Sequence, residues 1–149
     1  MLDQPCVLRI TSDVVSPNNG MNREAIISLI GIVDDDESVR DALSSLLRSV
    51  GYKCEAFSSA EAFLDWGRFA ATNCILLDIR MPGMSGLDLH LKLLDMNCQA
   101  PVIFVTARAD EELGMRALRQ GAVGCLGKPF SEEALLETIR LALNGNNGK

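Results

Sequence analysis

Acidic residues stand directly after two short apolar runs of the kind that form buried strands. Asp34 and Asp35 follow the run that ends at Val33, and Asp78 follows the run Cys74–Leu77. A carboxylate placed against a buried strand is costly unless another group compensates its charge. If the two runs are neighbouring strands of a sheet, the three carboxylates raise one another's pKa unless a cation lies between them. Three protein oxygens, with water and a phosphate oxygen as further ligands, suit Mg²⁺, so the sequence predicts a magnesium site here.

Two further polar residues follow later apolar runs and add groups that bind phosphate. Thr106 ends the run that begins at Val102, and its hydroxyl can donate a hydrogen bond to a phosphate oxygen. Lys128 follows the last short run, and its ammonium is a compact charge suited to a phosphoryl group or a carboxylate. Taken singly, Thr106 is better explained as a helix cap and Lys128 as a surface lysine, and the acids at 34–37 are equally well explained as a solvated loop. Taken together at consecutive strand ends, these groups are the equipment for phosphoryl transfer to the Asp78 carboxylate.

Short apolar runs alternate five times with amphipathic segments, and this pattern predicts the elements that position these residues. Strands are predicted at Ile26–Val33, Lys53–Phe57, Cys74–Ile79, Val102–Thr106 and Val123–Leu126. The first helix is predicted at Ser38–Ser49, and the second begins after a cap at Ser58 or Ser59. The third follows Gly86 and has Leu87, Leu91 and Leu94 on one face. The fourth runs from a cap at Asp110 to Gln120, and the fifth runs from a cap at Ser131 to about Leu143. Such alternation implies a parallel sheet with helices on both faces. We expect the flavodoxin-like strand order 2-1-3-4-5, in which ligands bind at the carboxyl ends of the strands.

The length and composition predict one domain with two short flanking segments. The 149 residues, 48% hydrophobic and 23% charged, suffice for one independently folding domain. We assign 23–143 to this domain, 1–22 to a flexible N-terminal extension and 144–149 to a linker or tail. Because 1–22 lacks sustained periodicity, an over-long gene start with Met21 as the first residue is an alternative. The net charge of −6 argues against a nucleic-acid surface.

The remaining special residues argue against several other kinds of site and location. The five cysteines are an odd number without a Cys-x-x-Cys motif, which favours buried thiols in a reducing cytoplasm over disulfides or zinc. His90 is the only histidine, so a histidine-based metal site or catalytic triad is not expected. The longest apolar run, Ala25–Val33, is too short to span a membrane, and no basic segment precedes it as in a secretory signal. We therefore expect a cytoplasmic protein without membrane contact.

Four motifs in order along the chain resemble the signature of response-regulator receiver domains. They are Ile32–Arg40 with the acidic run, Leu77–Gly86 with Asp78, Val105–Ala107 and Lys128–Phe130. Their separations match those of the family, and the resemblance covers roughly residues 26–143. The segments 51–52 and 57–64 are most similar to the FixJ-type branch, whose members usually carry a helix-turn-helix output domain. The resemblance implies the CheY-like form of the flavodoxin-like fold.

The resemblance also implies a role for each matching residue of the metal site. Asp78 is expected to be the phosphorylated aspartate and a metal ligand. Asp35 is expected to bind Mg²⁺ directly and Asp34 mainly through water, while Arg80 lends its backbone carbonyl to the metal.

The resemblance further implies how the phosphoryl group arrives and what it changes. A histidine kinase is the expected donor, and Thr106 and Lys128 are expected to hold phosphoryl oxygens. The Lys128–Pro129 bond is usually cis in this family. The face formed by the fourth helix, fifth strand and fifth helix is expected to change shape and to support a homodimer. Such a chain is a switch that assists its own phosphorylation and dephosphorylation rather than an enzyme, and any DNA is contacted by an output domain.

One position departs from the family pattern. Receivers typically have a tyrosine or phenylalanine three residues before the lysine, and its ring turns inward when the threonine moves toward the phosphate. This chain has Cys125 there. A cysteine side chain is much smaller than an aromatic ring, so Cys125 predicts a smaller phosphorylation-linked change at this face.

Two other function classes share parts of this pattern. Asp34-x-Asp36 also resembles the nucleophile motif of haloacid-dehalogenase-type phosphatases, with Thr106 and Lys128 as later motifs. However, this chain lacks the downstream acidic pair of those phosphatases, and a phosphatase assignment leaves Asp78 without a role. A flavodoxin-like electron carrier needs a loop rich in serine, threonine or glycine after the first strand to bind the FMN phosphate, whereas four acids there repel it.

Overall fold

The computed structural model describes residues 28–107 and 110–147. The predicted extension 1–22 and the first residues of the predicted strand Ile26–Val33 lie outside this part of the chain. No helix among the described residues is long and apolar enough to cross a membrane.

Five parallel strands and five helices alternate along the described residues. The strands are β1 (Leu29–Val33), β2 (Lys53–Phe57), β3 (Cys74–Leu77), β4 (Val102–Ala107) and β5 (Gly124–Lys128). The helices are α1 (Glu37–Ser49), α2 (Ala60–Trp66), α3 (Gly86–Asp95), α4 (Glu111–Arg119) and α5 (Glu132–Asn147). The strand order is β2-β1-β3-β4-β5 with every pair parallel, which confirms the predicted flavodoxin-like, CheY-like sheet.

The core lies in two layers, one on each face of the sheet. Successive residues of β3 point to opposite layers: Ile75 and Leu77 pack on the side of α2, α3 and α4, and Cys74 and Leu76 on the side of α1 and α5. All four are at most 1% exposed. A strand buried on both faces needs a continuous apolar run, and this is the pattern that identified β3 in the sequence.

Side-chain caps fix where several helices begin. The hydroxyls of Ser59, Ser85 and Ser131 accept hydrogen bonds from backbone N–H groups in the first turns of α2, α3 and α5. The predicted caps at Ser59 and Ser131 are therefore confirmed. Gly51 and Gly121, the predicted stops after α1 and α4, have φ of 101° and 113°, which few other residues adopt.

The inner face of α3 differs from the prediction. Leu91 and Leu94 are 46% and 44% exposed, whereas Leu87, His90 and Leu93 are buried. Leucines occur all around this helix, so its apolar pattern does not define one face. The helix begins at Gly86, directly after its cap, and this start turns His90 inward, where its ring packs edge-on against Phe104 at 5.5 Å.

The bounds of several elements also differ from the predictions. The third strand ends at Leu77 rather than Ile79, because the chain turns there into the loop before α3. The fifth strand is Gly124–Lys128 rather than Val123–Leu126, since its register with β4 continues as far as Lys128. The last helix continues to Asn147, so 144–147, which we assigned to the tail, are helical. Glycine and asparagine only weaken a helix, and no proline interrupts this one.

The loop between β3 and α3 folds tightly back on the end of the strand. The N–H of Gly86 donates to the carbonyl of Ile79 at 2.8 Å. A Cβ atom at position 86 would lie 2.0 Å from the backbone oxygen of Asp78, so only glycine permits this approach. The contact fixes the backbone from which the Asp78 side chain projects.

We expect Gly86→Ala to lower the free energy of unfolding by roughly 1–3 kcal/mol or more, because the added methyl group meets rigid backbone. Urea unfolding followed by circular dichroism measures the change. Gly127→Ala is the matched control, since nothing lies within 4 Å of a Cβ atom there. Equal stability of the two variants would contradict the proposed close contact.

Candidate functional site

The predicted acids come together at the carboxyl ends of β1 and β3. Val33 pairs with Leu77 in the sheet register, so Asp34 and Asp78 follow on adjacent strands. Asp34 and Asp78 are 2% and 7% exposed, whereas Asp35 is exposed. One carboxylate oxygen from each of the three acids lies within 4.8 Å of the others. This spacing allows one small cation to contact all three.

Asp34 is the most firmly held of the three acids. Its Oδ1 accepts a hydrogen bond from the N–H of Asp36 at 2.9 Å, and its backbone carbonyl accepts one from Arg40 Nη1 at 2.7 Å. Its Oδ2 accepts from Lys128 Nζ at 3.1 Å. Both carboxylate oxygens therefore already have a partner. By contrast, the carboxylate of Asp35 forms no hydrogen bond or ion pair with other described residues.

Lys128 brings a positive charge to this acidic cluster from the end of β5. Its Nζ lies 3.1 Å from Asp34 Oδ2 and 3.7 Å from Asp78 Oδ1. Burial lowers the pKa of this lysine, but the hydrogen bond to Asp34 and the charge of Asp78 outweigh burial and leave the pKa raised. The ammonium therefore stays charged and balances part of the acidic charge. The Lys128–Pro129 peptide bond is cis, as the resemblance implied.

Thr106 lies near the end of β4, on the strand next to β3. The residue is 2% exposed, and among the described residues its hydroxyl has one long contact, 3.5 Å to the carbonyl of Ala107. The hydroxyl is therefore available to donate a stronger hydrogen bond to an incoming oxygen. In the sheet register Thr106 pairs with Gly127, directly before Lys128.

The comparisons with known proteins agree with this geometry. A family described as "Response regulator receiver domain" matches residues 30–140. The chain belongs to this family. Response regulator protein TmoT from Ectopseudomonas mendocina is 48% identical over 116 residues, which are 78% of this chain and 53% of that protein. Transcriptional regulatory protein FixJ from Azorhizobium caulinodans is 39% identical over 114 residues, which are 76% of this chain and 54% of that protein.

A solved structure supports the same assignment. The structure of response regulator StyR superposes with a TM-score of 0.76 and 42% sequence identity, covering 82% of this chain and 62% of that one. The receiver spans about half the length of the curated relatives it matches. The matched proteins are response regulators and lend no support to the phosphatase alternative.

The guanidinium of Arg80 in this receiver pairs with Asp110. Its Nε donates to Asp110 Oδ1 at 2.5 Å, and its side chain is 71% exposed. We expected Asp110 only as the cap of α4, and it makes no side-chain capping hydrogen bond. The two residues are 30 positions apart, and no local sequence pattern signals their pairing.

Cys125 packs directly under α4. A Cβ atom at Gly114 would lie 2.4 Å from Cys125 Sγ and 3.8 Å from Thr106 Cγ2, so the Cys125 side chain packs directly against the backbone of α4 at this glycine. A cavity of about 430 Å³ lies beside this contact, and Thr106, Cys125 and Lys128 are among its lining residues. Burial raises the pKa of the half-buried Cys125 thiol, which favours its protonated form.

Asp78 holds its proton more tightly than an ordinary aspartic acid. Burial and the charge of Asp34 raise its pKa to about 6, although Lys128 opposes the shift. The carboxylate form therefore predominates above about pH 6 and is costly to hold within the fold.

We expect Asp78→Asn to raise the free energy of unfolding by roughly 1–3 kcal/mol at pH 7 without divalent ions. The raised pKa means that ionisation of Asp78 destabilises the fold. This penalty is complete above about pH 6 and is absent below the ordinary value of 3.8. Urea unfolding in EDTA at pH 7 and pH 4 tests the difference, with the exposed Asp88→Asn as control. A gain that is as large at pH 4 would contradict the charge-based explanation.

Proposed function

We propose that this receiver accepts a phosphoryl group from a histidine kinase on the carboxylate of Asp78. The observation that carries the proposal is the position of Lys128 Nζ, which lies close to both Asp34 and Asp78 at the ends of buried strands. An ammonium held beside a buried nucleophilic carboxylate suits an incoming phosphoryl group, because it meets the negative charge of the phosphoryl oxygens.

In the proposed reaction an Asp78 oxygen attacks phosphorus while the bond from phosphorus to the donor nitrogen breaks. The nitrogen keeps the electron pair of that bond, and Asp78 becomes an acyl phosphate. Lys128 binds one phosphoryl oxygen, and the Thr106 hydroxyl donates a hydrogen bond to another. The long 3.5 Å hydrogen bond from the Thr106 hydroxyl to the carbonyl of Ala107 supports this role, because a phosphoryl oxygen is a stronger acceptor.

We propose that the acidic cluster holds Mg²⁺. Carboxylate oxygens are the ligands that this hard cation prefers, and the three acids are close enough to share it. Asp35 and Asp78 would bind directly, and Asp34 mainly through water because both of its carboxylate oxygens already accept hydrogen bonds. The backbone carbonyl of Arg80 would be a further ligand. Bound there, the ion neutralises charge on the carboxylates and on the phosphoryl oxygens.

Phosphorylation, in this proposal, draws Thr106 toward the phosphoryl group and changes the face formed by α4, β5 and α5, through which the chain forms a homodimer. With Cys125 in place of an aromatic ring, the change is smaller than in a receiver with phenylalanine there. The chain is thus a switch rather than an enzyme.

An output domain would contact DNA, since a net charge of −6 disfavours direct contact. Buried thiols at Cys54 and Cys74 suit a cytoplasmic location.

We expect acetyl phosphate with Mg²⁺ to add one phosphoryl group to the protein, because the small donor reaches Asp78 without a kinase. Intact mass measurement detects the addition, and hydroxylamine removes it because the product is an acyl phosphate. Asp78→Asn should abolish the addition and Asp88→Asn should not. A modification that persists in Asp78→Asn would refute Asp78 as acceptor. Sustained turnover of a generic phosphomonoester would instead favour the phosphatase.

We expect Asp35→Asn to weaken Mg²⁺ binding roughly tenfold or more, because it replaces a direct ligand by a neutral amide. Nuclear magnetic resonance titration with Mg²⁺ measures the dissociation constant, with amide shifts at residues 34–36 as the signal. Asp41→Asn, an exposed acid on α1, is the matched control. Unchanged affinity in Asp35→Asn would contradict the metal assignment.

A further inference from the structure

A larger cavity, of about 780 Å³, lies at the end of the sheet opposite the acidic cluster. Pro101, Val102 and Gly124 line it where β4 and β5 begin, whereas Thr106 and Lys128 lie near the ends of these strands. Helices α3 and α5 supply other parts of its wall. The volume falls within the range of about 300–1,000 Å³ that is typical of small-molecule sites. The cavity is therefore large enough for a ligand, and it lies away from the proposed phosphate site.

The wall of this cavity is mainly apolar and carries no charged side chain. Leucines and valines from the two helices and the two strand starts supply apolar surface, among them Leu93, Val102 and Leu141. In the part of the chain that the structure describes, no aspartate, glutamate, lysine or arginine lines the cavity. An ion that entered would lose its water without meeting an opposite charge, which is unfavourable. The wall therefore suits an uncharged molecule with a large apolar part.

A buried histidine in this wall has an unpaired nitrogen. His90 is 2% exposed, and its Nδ1 has no hydrogen-bond partner among the described residues. Most buried polar atoms in folded proteins have a partner, because an unpaired group has lost water without replacing it. Burial lowers the pKa of His90, so at pH 7 the ring is neutral, with one nitrogen as donor and the other as acceptor. A ligand in the cavity can supply the partner that the described residues do not.

We propose that this cavity binds an uncharged, mainly apolar small molecule with one hydroxyl group, which pairs with the ring of His90. A hydroxyl group suits either position of the ring proton, because it both donates and accepts hydrogen bonds. The apolar part of the ligand leaves water and packs against the leucine and valine side chains, which supplies most of the affinity. None of Asp34, Asp35, Asp78 and Arg80 lines the cavity, so binding does not depend on the proposed function.

The test uses three probes that share a six-membered ring. Cyclohexanol carries the hydroxyl group, methylcyclohexane lacks it, and cyclohexanecarboxylate carries a negative charge at pH 7. Nuclear magnetic resonance titration of the full chain measures each dissociation constant, with amide shifts at 97–102, 121–125 and 138–142 as the signal. We expect both uncharged probes to shift these amides and the carboxylate to leave them unchanged.

Three variants identify the residues that contact the probes. We expect His90→Phe, which keeps a flat ring, to weaken cyclohexanol binding about fivefold and to leave methylcyclohexane binding unchanged, because the variant removes only the hydrogen bond. Leu94→Ala removes apolar wall and should weaken both uncharged probes about threefold. Leu91→Ala is the matched control, since Leu91 is an equally exposed leucine of the same helix that does not line the cavity.

Two results would overturn the proposal whatever happens at Asp78. One is the absence of shifts at the lining amides with both uncharged probes. The other is an affinity for cyclohexanol that His90→Phe leaves unchanged. Should His90→Phe fail to fold, the leucine variants decide, because both replace exposed side chains and leave the core intact. Equal cyclohexanol affinity in Leu94→Ala and Leu91→Ala would then refute binding in this cavity.

Discussion

The compensation of buried negative charge at one end of the sheet is the constraint on which the site depends. Asp34 and Asp78 are nearly inaccessible to solvent. Among the described residues, the cationic side chain within 4 Å of both carboxylates is that of Lys128. Asp34 follows β1 and Lys128 ends β5, with β3 and β4 between these two strands. The charge balance therefore ties together strands that share no backbone hydrogen bonds, so β1, β3, β4 and β5 must assemble before the acids are compensated.

Local patterns account for what the sequence predicted correctly. Continuous apolar runs identify strands that are buried on both faces, and an acid directly after such a run marks the strand end. The caps at Ser59 and Ser131 are likewise set by residues within one helical turn. The parallel alternation then places the strand ends at one edge, so Asp78 was expected beside Asp34 and Asp35, which are distant from it in the chain, and it lies there.

Features that arise only from tertiary packing escaped prediction. Which face of α3 is buried depends on its cap and on the packing of His90 against Phe104. Leucines occur on several sides of this helix, so the sequence pattern alone does not identify the buried face. The bridge between Arg80 and Asp110 joins two loops, and each residue alone suits a different local role. In both cases the deciding interaction lies between segments that the sequence pattern treats separately.

The contact between Gly114 and Cys125 makes two distant positions a single steric unit. The helix lies so close to β5 that the sulfur atom occupies the place of a side chain at position 114. A side chain at position 114 needs α4 to move outward or a smaller residue at 125, and a larger residue at 125 needs α4 to move outward because glycine has no side chain to lose. Sequence variation at these two positions is therefore not independent: their combined volume, rather than either identity, is what the fold constrains.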